Sequence, residues 1–100
     1  MPLVLLYTSP LRRSIKHLDP QQRETIAAIL EAVRMYYGAN ADLAAAQKTF
    51  PGFFYKKLRH DLYEAGVEGK SRVIIRKEGS NCSAMFAGNH DQIRRFLSGN

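Results

Sequence analysis

The chain opens on Leu3-Val4-Leu5-Leu6-Tyr7-Thr8, an unbroken β-favouring apolar run that predicts a strand buried on both faces. Ser9-Pro10 reads as an N-cap followed by proline at the first helical position. Leu11, Ile15 and Leu18 then fall on one stripe, at spacings of four and three. Asp19-Pro20-Gln21-Gln22 repeats the start signal with Gln22 in the capping-box place. Ile26, Ile29, Leu30, Val33, Tyr36 and Tyr37 follow at helical spacing until Gly38 ends the run. The two segments together predict a helical hairpin. Residues 39–47 are alanine-rich and predict a short third helix, and Phe50-Pro51-Gly52 predicts a turn. Residues 53–60 fit either a strand or an ordered loop.

The period changes in the second half. Residues 62–67, 72–77 and 82–87 are short β-favouring runs, separated by Glu68-Gly69-Lys70 and Glu78-Gly79-Ser80-Asn81. Connections this short predict an antiparallel meander. A final helix begins at Asn89 or His90, with Ile93, Phe96 and Leu97 spaced for one face. The expected architecture is α+β: helices on one face of an antiparallel-rich sheet, in one domain spanning residues 1–100.

Alternation along the strands sorts the polar side chains by face. Tyr63, Ala65, Val67, Val73 and Ile75 suit the core side, so Glu64, Gly66, Arg72, Ile74 and Arg76 point the other way. If the apolar side meets the helices, the open face carries Glu64, Arg72 and Arg76. Lys56, Lys57, Arg59 and His60 are expected to flank its entrance, and His90 lies just past the last strand.

Composition narrows the partner. The 100 residues hold fifteen Lys+Arg against nine Asp+Glu, a formal charge of +6, which points to a polyanion without deciding the fold. The first fifty residues carry six basic and four acidic side chains, and the second fifty carry nine and five, so the excess lies mainly in the meander. Cys82 is the single cysteine, which excludes a disulfide framework and a cysteine-based zinc site. His17, His60 and His90 lack ligand spacing, and there is no phosphate-binding glycine loop or nucleophile elbow. No apolar run approaches the roughly 18 residues that cross a bilayer. These exclusions predict a soluble, cytoplasmic protein that uses neither metal nor cofactor.

Four stretches carry a resemblance. The opening strand, Ser-Pro-Leu-Arg-Arg-Ser-Ile-Lys-His-Leu-Asp and the long helix are similar to the N-terminal half of the RelE/ParE toxin superfamily. Leu62-Tyr63-Glu64-Ala65-Gly66-Val67, Ser71-Arg72-Val73-Ile74-Ile75 and Gly88-Asn89-His90-Asp91-Gln92-Ile93 resemble its C-terminal sheet and glycine-initiated last segment. The resemblance implies a toxin of a type II toxin–antitoxin pair, neutralised by a cognate antitoxin. It further implies metal-independent cleavage of mRNA on the ribosome, which inhibits translation. Arg72 matches the superfamily's strand arginine that contacts the scissile phosphate, and His90 falls where a basic residue follows the last strand. Glu64 and Gly66 stand where the RelE type has two lysines, and Phe96 where it has a functional tyrosine. Other branches use a glutamate and a histidine, a pattern that Glu64 and His90 satisfy.

Cleavage by 2′-hydroxyl attack needs a base, a cation on the pentavalent phosphate and an acid for the leaving 5′-oxygen. Arginine suits the second role, because its planar fork stays charged and grips two phosphate oxygens. Histidine suits either proton role. The expected assignment is Glu64 as base, Arg72 as phosphate clamp and His90 as acid, or base and acid exchanged. Lys56, Lys57, Arg59, His60, Arg76, Arg94 and Arg95 are the candidate RNA contacts. Phe53, Phe54 and Tyr55 can stack on splayed bases, with at least one of Phe53 and Phe54 expected in the core.

Plainer readings compete at each position. Arg72 and Glu64 can form a solvated cross-strand pair worth a few tenths of a kcal/mol. His90 can be a helix-start residue, and residues 56–60 a solubilising run. Two rival functions stand beside the nuclease: a ParE-like poison of DNA gyrase without catalytic residues, and a catalytically silent RNA- or protein-binding module of the same fold.

Overall fold

A computed structural model describes residues 4–67 and 69–99. The order is β1 (Val4–Tyr7), α1 (Ser9–Lys16), α2 (Pro20–Gly38), α3 (Leu43–Thr49), β2 (Phe54–Arg59), β3 (Leu62–Gly66), β4 (Ser71–Glu78), β5 (Asn81–Asn89) and α4 (His90–Ser98). Leu3, expected to start the first strand, and Glu68, expected in a turn, lie outside the described residues.

Local chemistry places most boundaries. Asp19 and Gln22 close a reciprocal capping box at 2.8 and 3.0 Å, with Pro20 opening α2. The first helix starts one residue earlier than the Ser9 signal implies. Thr8 is its cap: the hydroxyl accepts from the Leu11 amide and donates to the Ala84 carbonyl at 2.9 Å, tying the helix to β5. The third helix starts at Leu43 rather than at residue 39. Asn40 and Ala41 take left-handed backbone angles that end the preceding helix, and the Asp42 carboxylate caps the new one. Residues 54–59, open between strand and loop on sequence, form a strand.

The sheet has the order β1-β5-β4-β3-β2, with β1 parallel to β5 and the other pairs antiparallel. The opening run is therefore an edge strand and not a doubly buried one. Leu6 is 51% exposed, because β1 has a neighbour on one side only and Leu6 faces away from the hairpin helices. Beyond Tyr7 the edge of β5 is covered by α1, and the Ala87 amide donates to the Ser14 hydroxyl at 3.1 Å.

Two bulges reset the alternation. In β5, Ile74 pairs with Phe86 but Ile75 pairs with Ala84, so Met85 is the extra residue. Ala84 and Ala87, three apart, both reach the core as a result. In β2, Lys57 pairs with Tyr63 and Arg59 with Leu62, which leaves Leu58 as the extra residue.

On one face Ala65, Val73, Ile75, Cys82, Ala84 and Ala87 pack beneath Leu11, Ile26, Ile29 and Val33. Phe53 is 1% exposed and joins Tyr36, Tyr37, Tyr55 and Tyr63 in an aromatic cluster, where the Tyr37 hydroxyl donates to that of Tyr55 at 2.7 Å. The opposite face is not open, which corrects the expectation of helices on one side only. Helix α4 lies across it: Phe96 stacks on Phe86 at 4.6 Å, and Ile74 and Ile93 are buried. Ile74, Ile93 and Phe86 are apolar, so their burial draws α4 down as a second, smaller layer. An α+β sheet with an N-terminal helical hairpin on one face and a short C-terminal helix is the architecture seen.

Candidate functional site

Glu64 and Arg72 come together on the α4 face, as alternation requires, but not as a solvated pair. The Arg72 Nε lies 3.3 Å from Glu64 Oε2, with the two side chains 20% and 8% exposed. The Arg72 NH1 group donates to the Gly69 and Ser71 carbonyls, both at 2.8 Å. Its guanidinium carbon sits 4.8 Å from the centre of the Phe54 ring. NH2 makes no hydrogen bond among the described residues.

Phe54 completes this cluster and was not singled out as its member on sequence. The signal was present: Phe54 and Lys56 are two apart on β2 and share the face of Glu64. Gly66, opposite Phe54, makes room for it. A Cβ there would stand 2.5 Å from the Phe54 ring and 3.0 Å from Arg72 Cδ. Glycine at this place thus belongs to the packing of the arginine, whatever residue related proteins carry.

His90 is exposed at the first position of α4. The β4–β5 ladder pairs Arg72 with Gly88 and Ser71 with Asn89, so His90 leaves the sheet at the end where Arg72 lies. Asn89 caps α4 through a reciprocal box with Gln92, at 2.9 and 2.8 Å, which fixes the direction in which the helix departs. Lys56 is exposed opposite Glu64.

The remaining candidates are dispersed. Lys57 pairs with Tyr63, whose ring belongs to the core side, so it projects to the other face and does not flank the Arg72 cluster. His60 occupies the tight β2–β3 turn at φ 41°, a conformation that histidine tolerates better than most residues. Arg76 lies at the opposite end of β4 in an ion pair with Asp61 at 3.4 Å, and both are well exposed. Arg59 donates to the Leu97 carbonyl at 3.3 Å. Arg94 and Arg95 lie on the outer side of α4, exposed to solvent.

Three further buried or half-buried titratable groups lie away from this cluster. Burial pushes the Tyr37 and Tyr55 phenols and the Cys82 thiol up from their ordinary values. These groups belong to the core beneath α2 and are structural. No helix among the described residues is long and apolar enough to cross a membrane.

The order of elements and the parallel β1–β5 pair give this chain a fold that matches those of RelE-like toxins. Two solved structures carry the likeness. The RelB–RelE antitoxin–toxin complex from Methanococcus jannaschii contains a chain that superposes with a TM-score of 0.64 at 18% identity, covering 92% of this chain and 98% of that one. YafQ from E. coli strain BL21(DE3) superposes with a TM-score of 0.58 at 14% identity, covering 91% and 97%. No protein-family model matches the sequence, and no curated protein matches it. The likeness is one of fold, carried by backbone geometry at low identity.

Proposed function

We propose that this protein is the toxin of a type II toxin–antitoxin pair, neutralised by a cognate antitoxin, and that it cleaves mRNA on the ribosome without a metal. The observation that supports the reading most is the Arg72 cluster. A cation is held by Glu64, Phe54 and two backbone carbonyls, at the end of the sheet where His90 enters α4.

In this reading the 2′-oxygen attacks the adjacent phosphorus as its proton passes to a base. The P–O5′ bond breaks, and the 5′-oxygen takes a proton from an acid. The products are a 2′,3′-cyclic phosphate and a 5′-hydroxyl. Arg72 stabilises the pentavalent phosphate through its NH2 edge. His90 and Glu64 divide the proton transfers, His90 as acid in the first assignment. Lys56, Arg59, Arg76, Arg94 and Arg95 contribute a positive field that steers RNA.

A second reading rests on one observation. Arg72 already spends Nε on Glu64 and NH1 on the loop carbonyls, so part of its fork is committed to structure. This favours a toxin that binds without cutting, such as a gyrase poison. A translation extract with primer extension separates the two. The nuclease gives codon-positioned cuts that fall by about 10²–10⁴-fold in His90→Ala, the range of a lost general acid or base. Uncut mRNA, with gyrase-dependent DNA breaks, overturns the nuclease reading.

A further inference from the structure

The two edges of the sheet are built differently. Strand β2 carries Lys56, Lys57 and Arg59 and a bulge at Leu58, the charges and irregularity that keep an edge from pairing with another chain. Strand β1 has none of these. Val4-Leu5-Leu6-Tyr7 is uncharged, lacks proline and keeps unbroken register with β5, and among the described residues no strand pairs with its outer side. Leu6, at 51%, is the most exposed large apolar side chain among them. The Thr8 amide donates to the Ala84 carbonyl, so Thr8 and, two residues back, Leu6 turn their backbone groups toward β5. Alternation then points the N–H and C=O of Leu5 and Tyr7 outward.

We infer that β1 pairs antiparallel with β1 of a second copy, across a two-fold axis at Leu6. Centring the axis there uses all four outward groups: Leu5 exchanges two hydrogen bonds with the partner's Tyr7, and Tyr7 two with the partner's Leu5. Leu6 then meets the partner's Leu6 in a non-hydrogen-bonded pair, where facing side chains lie closest. Charge favours a copy of this chain over a foreign strand. Two chains of +6 repel wherever their basic surfaces meet, but residues 1–11 hold no charged side chain. Arg34 of α2 lies over the Tyr7 ring, 5.2 Å from its centre, and Glu31 stands one turn before it, both exposed. The two-fold axis sets the α2 helices antiparallel on the same side, so each Arg34 is offered the partner's Glu31. Every part of the edge is thus self-complementary, as an isologous contact requires. The two five-stranded sheets become one, with both Arg72 clusters on the same side, and the contact does not depend on RNA cleavage. A four-residue strand spans roughly 13 Å, which makes a small interface and a dissociation constant in the micromolar range.

Leu6→Cys in the full chain tests the inference. Cys82 is fully buried, so the new thiol is the exposed one. Facing Cα atoms in a non-hydrogen-bonded pair lie about 4.5 Å apart, within disulfide reach. Mild oxidation should turn most of Leu6→Cys into a covalent dimer. Ser83→Cys, one strand inward on the same face, should stay monomeric, because three strand spacings, about 14 Å, separate its copies. In sedimentation equilibrium the wild type should pass from monomer toward dimer as concentration rises, and Leu6→Lys should weaken that association at least tenfold. Circular dichroism verifies that each variant is folded. A wild type still monomeric at about 1 mM overturns the inference, as does Leu6→Cys that fails to cross-link. So does equal cross-linking of Ser83→Cys, or a dimer that Leu6→Lys leaves unchanged. Association that continues beyond the dimer overturns the closed two-fold pair, and a dimer lost on ribonuclease treatment makes RNA the bridge, with the same consequence.

Discussion

Replacing Arg72 by Met keeps most of the side-chain volume and removes the charge, which leaves Glu64 buried at 6% exposure without its cation. Two unit charges 3.3 Å apart attract by about 5 kcal/mol at the effective dielectric of a protein surface, before desolvation is subtracted. Breaking a fully buried pair costs about 3–5 kcal/mol, while exposed pairs are worth about 0.2–1. Glu64 sits near the first limit, and Arg72, at 20% exposed, between the two. Arg72→Met should therefore destabilise the fold by about 2–3 kcal/mol, including the lost contact with Phe54. For a domain of this size that lowers the melting temperature by roughly 10–20 °C. Removing both charges, in Glu64→Leu with Arg72→Met, should restore all but about 1 kcal/mol, because no charge is then stranded. Urea denaturation of the wild type, both single variants and the double variant closes the cycle. If Arg72→Met lies within about 0.5 kcal/mol of the wild type, the pair behaves as a surface pair and the reasoning fails.

Two further expectations concern the layers on either side of the sheet. Ile74→Ala opens a cavity beneath α4 and should cost about 2–5 kcal/mol by denaturant unfolding; a loss under about 1 kcal/mol would mean that α4 is not packed on the β4–β5 face. Tyr37, Tyr55 and Cys82 have raised folded-state values, so their contribution is fully present below the unfolded-state range and is lost as pH rises beyond it. Stability measured in urea should hold up to about pH 8 and then fall with increasing pH, first as the unfolded thiol ionises and then the phenols. Tyr37→Phe with Tyr55→Phe should flatten that fall, and an unchanged slope would refute the account.

The legible part of the site was the strand that carries it. Alternation placed Glu64, Gly66 and Arg72 on one face, and those three side-chain positions do converge. Burial was not legible. The apolar Ile74 between Arg72 and Arg76 was the local sign that something must cover this face, yet which helix does so depends on the path of the chain after β5. The basic run 56–60 reads as one patch, but the strand divides Lys56 from Lys57 and the bulge returns Arg59 to the face of Lys56. Bulges are two-strand events, set by the partner's register, and leave no dependable mark in either strand's own pattern.

The sequence by itself determined most of the elements: a capping box at Asp19, a helix start at Asn89 or His90, helical stripes, and short turns that order β3, β4 and β5 into a meander. Each of these depends on contacts within a few residues, which is why local pattern suffices. Only the tertiary structure decided that β1 pairs in parallel with β5, that α4 closes the second face, and that Phe54 lies over Arg72. Those outcomes join residues far apart in the chain, where the free energy comes from burial shared between elements and not from either element alone. The same closure turns an exposed glutamate–arginine pair into a buried one.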